Sequence, residues 1–331
     1  MLSQSDIITL NKGDALDHFL IVKKCELRTS KTNKQFLALE LADKSISLNS
    51  NMFESFEEIY TKIKAGDIVK VKGTIDDYQG SPQIKVKSIR PANLTDDVTV
   101  MDFLAKSKRD LGEMKKEFFD RAEKISNPKL RALINNIFTE DNFERYSLAP
   151  AGKSWHHSYV HGLLEHTLEI VKICDLMSDF HSEINRDLLV CGAILHDFGK
   201  IEELSFDTAF EYTDKGKLIG HIVIGAMIVE EKIKEIKDFP EDLKNCLIHL
   251  ILSHQGKLEH ASPVVPKTLE AIALYHADEL SAKVNAYKNA IATELKTDSK
   301  WTKFLSLAAT DLFSHGINPE IEKQINKSLF D

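Results

Sequence analysis

The 331-residue sequence predicts a multidomain protein in which an all-β barrel is followed by an all-α helical bundle. Residues 1–95 contain short runs that alternate apolar and polar side chains, whereas residues 151–331 repeat apolar side chains at helical spacing. The length fits two domains of about 150 residues each. The chain is 43% hydrophobic with only 14 Gly and 8 Pro, a composition that supports a packed core and excludes a mainly disordered chain.

Four strand candidates and one helical stretch lie in the N-terminal region. The strands are FLIVKKCELRT (19–29), KQFLALELAD (34–43), DIVKVKGTI (67–75) and SPQIKVKSI (81–89), and the helical stretch FESFEEIYTKIKAG (53–66) lies between the second and the third. Short strands separated by turn residues such as Gly80 and Pro82 favour a small barrel. A five-stranded barrel with a helix between its third and fourth strands is the OB-fold pattern, so residues 1–95 are expected to form an OB-fold barrel.

Alternation along the strands predicts a cationic outer face on this barrel. Successive strand side chains point to opposite faces, so Val69 and Val71 share one face, and Lys70 and Lys72 the other. Over all four strands the predicted polar face contains Lys24, Arg28, Phe36, Lys70, Lys72, Lys85 and Lys87. Cations with an aromatic platform are typical of single-strand nucleic-acid binding. The alternative is that these lysines only keep the barrel soluble and protect its edges.

The remainder of the chain is helical in pattern. Residues 96–150 are predicted to form a helical connector and residues 151–331 an all-α domain. Residues 1–98 carry 14 basic and 14 acidic residues, so the net charge of −8 belongs to the remainder, which carries 29 and 37. An acidic domain is suited to hard cations. The overall negative charge disfavours a protein that coats duplex DNA non-specifically.

Histidine is concentrated in the helical part of the chain. Eleven of the 13 histidines lie between His156 and His276. The strongest candidate site is His196-Asp197, which directly follows the apolar run LLVCGAIL (188–195). A carboxylate buried beside an imidazole costs several kcal/mol unless it is paired or metal-bound. Neutral imidazole with an anionic carboxylate is a good ligand set for a divalent transition metal.

Other polar side chains lie on or beside apolar helical stretches and are candidate ligands. They are His166 in GLLEHTLEIVKIC, His221 at the start of HIVIGAMIVEEKI, His254 near the end of NCLIHLILSHQG and Asp278 in PKTLEAIALYHADELSAKV. Asp278 shares a stripe of small and apolar residues and therefore needs a counter-charge. His249 and His276 point away from His254 and Asp278 on their helices and are predicted to be packing residues. The four cysteines form no CxxC pair, which excludes a thiolate zinc site.

The ordered set His166, His196-Asp197 and Asp278 resembles the HD-domain superfamily of metal-dependent phosphohydrolases, and HDFGK (196–200) resembles the HDxGK form of its motif. Four longer segments are similar to the YhaM-type 3′→5′ exoribonucleases, in which an OB domain also precedes the HD domain. They are HHSYVHGLLEHT (156–167), LLVCGAILHDFGKIEEL (188–204), EYTDKGKLIGHIVIG (211–225) and ILSHQGKLEHASPVVPKTLEAIALYHADELSAKV (251–284).

The resemblance implies an all-α HD-domain bundle that holds one or two divalent ions. The implied ligands are His166, His196, Asp197 and Asp278 for the first ion, and Asp197, His221 and His254 for the second. Asp197 and Lys200 are the implied catalytic residues, with Lys200 beside the substrate phosphate. His156 and His157 are candidate substrate contacts. The nitrogen and oxygen donors favour Mn²⁺, Mg²⁺, Fe²⁺ or Co²⁺.

The implied activity is the hydrolysis of single-stranded RNA from its 3′ end to nucleoside 5′-monophosphates, with single-stranded DNA as a second candidate substrate and a homo-oligomer left open. Neither a signal peptide nor a membrane span is found in the sequence, so a cytoplasmic protein with no membrane partner is expected. Two alternatives stay open. One is an HD-domain phosphohydrolase of nucleotides or cyclic nucleotides, which has no need of an OB domain. The other is a non-catalytic single-strand-binding protein, suggested by Gln255 where the family commonly has His.

Overall fold

The computed structural model describes residues 4–30, 33–78, 81–153, 155–205, 211–295 and 299–316. Within these ranges the chain forms two compact units. One contains the residues up to 105 together with 291–316, and the other contains 106–205 and 211–290. The predicted fold class, a β-barrel followed by a helical bundle, is confirmed. The three-part division at residues 95 and 150 stays a prediction.

Five strands of the first unit form a closed barrel in the order β1-β2-β3-β5-β4. They are β1 (Ala15–Thr29), β2 (Gln35–Ala42), β3 (Ser47–Met52), β4 (Ile68–Tyr78) and β5 (Ser81–Pro91). The short helix α1 (Glu57–Tyr60) lies between β3 and β4, where the OB pattern predicts it. Strands β3 and β5 run parallel where Asn49 pairs with Gln83, and the other neighbouring pairs are antiparallel.

Strand β3 was not predicted from the sequence. Its residues SLNSNM bury only Leu48 and Ser50, so it lacks the apolar alternation of the other strands. Leu48 pairs with Leu41 and Ser50 with Leu39, both on β2. The strand is therefore specified by its pairing with β2 rather than by its own sequence pattern.

Apolar side chains from the strands fill the barrel. Leu20, Leu37, Leu41, Val69 and Val71 are fully buried in one cluster, and each such side chain contributes about 1.5–3 kcal/mol relative to an exposed one. A register shift interrupts β1 between Val22 and Lys24. Beyond it, Leu27 pairs with the buried Leu37 of β2 but is itself 41% exposed.

The second unit is built from helices. They are α2 (Leu111–Glu123), α3 (Pro128–Ile137), α4 (Glu140–Leu148), α5 (Gly162–Phe180), α6 (Arg186–Leu195), α7 (Lys200–Glu203), α8 (Asp214–Ile219), α9 (His221–Lys234), α10 (Glu241–Ser253) and α11 (Leu269–Thr293). Two short strands, β6 (Leu204–Ser205) and β7 (Glu211–Tyr212), pair beside α7. Asn127, Asn185 and Thr213 cap α3, α6 and α8 by accepting hydrogen bonds from backbone N–H groups. No helix in the described ranges has the length and apolar character that a membrane span requires.

The core of this unit places the end of α6 in the protein interior. Met114 and Phe118 of α2 share one apolar cluster with Leu163 of α5 and Leu189 of α6, so the segment before residue 150 packs into the helical unit. Every residue from Leu188 to Leu195 is buried. The polar residues that follow α6 are therefore delivered to the centre of the bundle instead of to its surface.

Candidate metal centre and nucleic-acid face

The six predicted metal ligands come from different helices of the second unit. His166 lies on α5, His196-Asp197 follows α6, His221 begins α9, His254 follows α10 and Asp278 lies on α11. The turn after Asp197 packs closely against α9, because a Cβ atom on Gly199 would lie 2.1 Å from the His221 carbonyl oxygen. A side chain at this position would therefore separate His221 from Asp197.

Asp197 is the shared member of two groups of potential metal ligands. The first group is His166, His196 and Asp197, the second is Asp197, His221 and His254, and in each the donor atoms lie within 4.8 Å of one another. Asp197 Oδ2 lies 3.3 Å from His196 Nε2 and 4.0 Å from His166 Nε2. Asp197 Oδ1 lies 3.3 Å from His221 Nε2 and 3.6 Å from His254 Nε2. Each carboxylate oxygen thus faces its own pair of imidazoles.

Asp278 also reaches this centre. Its Oδ1 lies 3.0 Å from His166 Nε2, and the residue is buried. It belongs to neither of the two ligand groups described above. Asp278 is therefore positioned beside the first group, through its contact with His166.

The four imidazoles share one hydrogen-bonding arrangement. The Nδ1 atoms of His196 and His254 lie 2.8 and 2.7 Å from the carbonyl oxygens of Ala193 and Ile251. The Nδ1 atom of His221 lies 2.9 Å from Glu203 Oε1, and that of His166 2.9 Å from Ser281 Oγ. A carbonyl or carboxylate oxygen only accepts, so it fixes the proton on Nδ1. Nε2 then carries the lone pair, as in histidine metal ligands, and in each ring this atom lies 3.3–4.0 Å from an oxygen of Asp197.

Three residues that orient the ligands were missed by the sequence reasoning. Ser281 Oγ donates to Glu169 Oε2 at 2.6 Å, so it must accept from His166. Glu203 accepts from both the backbone N–H and the ring of His221. A weak signal existed, because Ser281 lies three residues after Asp278 on the same helical stripe, and Glu169 three residues after His166.

Four buried atoms that could bind a metal have no hydrogen-bond partner among the described residues. They are Nε2 of His166, His196 and His221 and Oδ1 of Asp197. Buried polar atoms are normally paired, so a set of unpaired acceptors around one carboxylate needs a positively charged partner. Imidazole nitrogens and carboxylate oxygens suit a divalent ion. The residues present therefore fit a metal centre.

The protonation states also suit a metal. Burial lowers the pKa of His254 to about 4 and holds the pKa of His166 well below its usual range, so both rings are neutral near neutral pH. Burial favours the protonated form of Asp197, but Lys200 and His196 outweigh it and hold the pKa of this carboxyl well below its usual range. Burial disfavours charge on His196, yet Asp197 raises the pKa of that ring. A bound cation replaces such a proton.

Lys200, predicted to contact the substrate phosphate, is buried beside the metal ligands. Its ammonium nitrogen lies 2.5 Å from Asp197 Oδ2 and also donates to the carbonyl oxygen of Ala151. The structure therefore places this cation in contact with the shared carboxylate.

The remaining histidines of the cluster separate into two kinds. The rings of His156 and His157 lie 5.0 and 5.1 Å from the ring of His166. Burial, and then His166 and Lys200, lower the pKa of His156 to about 2. His249 Nε2 accepts from the backbone N–H of Lys267, and the side chain of His276 is 63% exposed, so both lie apart from the ligand groups.

The predicted cationic face of the barrel is divided in the structure. Lys24 and Arg28 line a groove of about 270 Å³, where they pair with Glu40 and Glu26. Lys70 and Lys72 instead both contact Asp17, while Lys85 and Lys87 are exposed on β5 and do not line the groove. In a closed barrel, alternation shows that a side chain points outward but not to which side. The single face expected from the sequence is therefore two or more separate surfaces.

An aromatic pair lies on the outer surface of β2 and just beyond β3. The rings of Phe36 and Phe53 stack with centroids 5.0 Å apart, and Phe53 is 57% exposed. Phe36 was predicted as a platform, but Phe53 was not, because it was assigned to the helical stretch 53–66, whereas the helix spans only Glu57–Tyr60. The outer side of β2 and β3 is the usual nucleic-acid surface of an OB fold, and the pair extends the platform predicted there.

Two family models match the two regions of the chain. The model of the HD domain matches residues 163–283, and the model of the OB-fold nucleic acid binding domain matches residues 21–92. The first range contains all six predicted ligands, and the second contains Phe36 and Phe53.

Three curated proteins similar to this chain carry the same name. The 3′-5′ exoribonuclease YhaM of Oceanobacillus iheyensis is 34% identical over 281 residues, which are 84% of this chain and 87% of that protein. The 3′-5′ exoribonuclease YhaM of Bacillus subtilis is 32% identical over 84% of this chain and 88% of its own length. The protein of the same name from Listeria monocytogenes is 32% identical over 283 residues, with 84% and 88% covered.

Proposed function

The chain belongs to the YhaM family of 3′-5′ exoribonucleases, and from that premise we propose that it hydrolyses single-stranded RNA from the 3′ end in a metal-dependent reaction. The observation that carries this proposal is the Asp197 carboxylate, whose two oxygens each face a pair of imidazoles. Metal pairs that share a ligand are common in enzymes that cleave phosphodiester bonds.

We propose that His166, His196, Asp197 and Asp278 hold one divalent ion, and that Asp197, His221 and His254 hold a second. The unpaired Nε2 atoms and the fixed Nδ1 protons support this assignment. The nitrogen and oxygen donors favour Mn²⁺, Mg²⁺, Fe²⁺ or Co²⁺. When bound, such ions supply the Lewis acidity that activates water and offsets charge on the phosphate.

The protein's own groups orient the ligands of this centre. Glu203 and Ser281 fix the rings of His221 and His166, and the Lys200 ammonium fixes the Asp197 carboxylate. Preorganised groups of this kind cost no reorganisation at the moment of reaction. The role of Lys200 beside the substrate phosphate stays a prediction.

The proposed reaction balances with water as the only co-reactant. The water oxygen bonds to phosphorus, the bond from phosphorus to the 3′-oxygen of the preceding nucleotide breaks, and that oxygen gains a proton. The products are a nucleoside 5′-monophosphate and an RNA shorter by one nucleotide with a 3′-hydroxyl.

We propose that the barrel holds single-stranded RNA on the outer side of β2 and β3. Phe36 and Phe53 offer a stacking surface for a base, and Asn49, Asn51 and Gln83 line the neighbouring groove with amides. Stacking on an aromatic side chain is worth about 1–3 kcal/mol per base. The bases of single-stranded DNA have aromatic faces that can stack in the same way, so it is a second candidate ligand. A cytoplasmic location and a homo-oligomeric state stay predictions.

The test is a time course with 5′-labelled RNA oligomers in Mn²⁺, Mg²⁺ or Co²⁺, resolved on a gel. The wild-type protein is expected to produce a descending ladder, the double variant His196→Ala/Asp197→Ala no ladder, and the surface control His276→Ala the wild-type ladder. A panel of nucleotides and cyclic nucleotides is incubated in parallel. Hydrolysis of that panel with intact RNA contradicts the proposal, as does a wild-type protein that only binds RNA.

A further inference from the structure

The imidazole of His156 borders the metal centre. Its ring centroid lies 5.0 Å from that of His166, in the first ligand group. Neither ring nitrogen has a hydrogen-bond partner among the described residues, although both atoms are buried. Buried polar atoms are almost always satisfied in native proteins, so a ligand that contacts this ring is expected.

His156 differs in this respect from the proposed metal ligands. Each of the four ligand rings is held through Nδ1 by a carbonyl, a carboxylate or a hydroxyl oxygen. No such contact holds His156 within the described part of the chain. Its ring has not been fixed by the protein for metal binding.

The neighbouring His157 is held by the protein instead. It is fully buried, its backbone N–H donates to Asn285 Oδ1 at 2.8 Å, and its Nε2 lies 3.4 Å from Glu169 Oε2. His156 is partly exposed as a residue, although both of its ring nitrogens are buried. Both ring nitrogens of His157 also lack a hydrogen-bond partner among the described residues, but the Glu169 carboxylate lies beside this ring, whereas no ion pair is found for His156 in the described part of the chain.

A metal ion does not account for His156. Within the described ranges, no set of three donor side chains within 4.8 Å of one another includes it. His166, Lys200, Asp278 and Asp197 all act electrostatically on this ring, and the function proposed above brings the scissile phosphate to the same residues. A neutral imidazole carries one N–H donor, and a phosphate oxygen is an acceptor.

We propose that His156 is a substrate-binding residue whose ring N–H donates to an oxygen of the phosphate at the first ligand group. The proposal rests on the function proposed above and adds a residue that contacts the substrate without binding metal. Hydrogen bonds to charged groups are stronger than those between neutral groups. Loss of this one is expected to weaken phosphate binding about 10- to 100-fold.

The test compares His156→Phe with His156→Gln in the full-length protein. Phe keeps an aromatic ring without a donor, whereas Gln keeps an N–H donor, and His276→Ala serves as the surface control. Bound Mn²⁺ is measured by plasma mass spectrometry, adenosine 5′-monophosphate binding by calorimetry with Mn²⁺ present, and KM and kcat on an RNA oligomer.

The Phe variant is expected to bind wild-type amounts of Mn²⁺ but adenosine 5′-monophosphate about 10- to 100-fold more weakly, with a raised KM for RNA. The Gln variant is expected to recover much of the affinity. Unchanged affinity and KM in the Phe variant overturn the proposal, and so does a loss of Mn²⁺ from both variants, which marks a structural or ligand role. If the wild-type protein does not shorten RNA, the proposed function itself fails, and that result is read from the wild type alone.

Discussion

The Lys200 ammonium nitrogen lies 2.5 Å from Asp197 Oδ2, the carboxylate oxygen that also faces His196 and His166. Lys200 and Asp197 are both buried. One cation of the protein thus already balances the carboxylate that the proposed metals share. Lys200 therefore stabilises the negative charge of Asp197 on one side of the carboxylate, and the proposed metal ions would bind on the other side.

The first prediction concerns this ion pair. Lys200→Met leaves Asp197 without its nearest cation, and breaking a buried pair from one side costs about 3–5 kcal/mol in the free energy of unfolding. We expect this full loss of stability when a chelator removes the metal. In Mn²⁺ we expect a smaller loss, because the bound ions supply a counter-charge to Asp197. Urea unfolding in both conditions measures it.

The matched control for this pair is Lys283→Met. Lys283 pairs with Glu279 at 2.7 Å on an exposed face of α11, so its loss is expected to cost about 0–1 kcal/mol in either condition. Equal destabilisation of Lys200→Met with and without Mn²⁺ would show that no cation binds next to Asp197.

The second prediction concerns the number of ions. His254→Ala removes a ligand of the second group only, so this variant is expected to lose one ion and keep the other. Asp197→Asn weakens both groups at once and is expected to lose most of the bound metal, because Asp197 is their shared member. Metal analysis after gel filtration measures both. Asp197→Asn protein that retains the wild-type amount of metal is incompatible with a bridging carboxylate.

The third prediction concerns Glu203, which orients His221. Replacement of a residue that orients a metal ligand typically lowers metal affinity about 10- to 100-fold, and Glu203→Gln is expected to do so. Its neighbour Glu202 pairs with Arg145 and Lys215 on the surface, so Glu202→Gln is the matched control. Competition with a chromophoric chelator measures the affinity, and equal affinities in the two variants would exclude the orienting role.

The fourth prediction concerns the aromatic pair on the barrel. Phe53→Ala removes one of the two stacked rings and is expected to weaken the binding of single-stranded RNA by about 1–3 kcal/mol. Fluorescence anisotropy in chelator, with Asp197→Asn as the background to prevent degradation, measures it. Phe180→Ala is the control, since Phe180 is 68% exposed on α5 of the other unit. If Phe180→Ala weakened RNA binding more than Phe53→Ala does, the RNA-binding surface would not be the aromatic pair on the barrel.

Local patterns in the sequence predicted the fold class, because alternation and helical spacing are properties of single segments. The apolar run Leu188–Leu195 predicted a buried helix whose end delivers His196 and Asp197 to the interior. Strand β3 was missed because its stability comes from pairing with β2, which is information held in another segment.

The parts of the candidate site that escaped prediction depend on contacts between distant segments. The hydrogen bond from Ser281 to Glu169 joins residues 112 positions apart, and no spacing rule links them. Lys24 and Lys70 both point outward as the alternation predicts, yet the closed barrel gives them different partners, Glu40 and Asp17. Sequence periodicity gives direction relative to a strand, whereas the tertiary fold decides which side chains meet.

We propose that this centre hydrolyses a phosphodiester bond at the 3′ end of RNA, and the position of the incoming oxygen in the product shows which bond is cleaved. The reaction is run with Mn²⁺ in heavy-oxygen water, and the first product is analysed by mass spectrometry. We predict a nucleoside 5′-monophosphate with one heavy oxygen on its phosphate, formed by wild-type protein and not by Asp197→Asn. A nucleoside 3′-phosphate or cyclic phosphate, or an equal amount of product from Asp197→Asn, would contradict the proposed reaction at this centre.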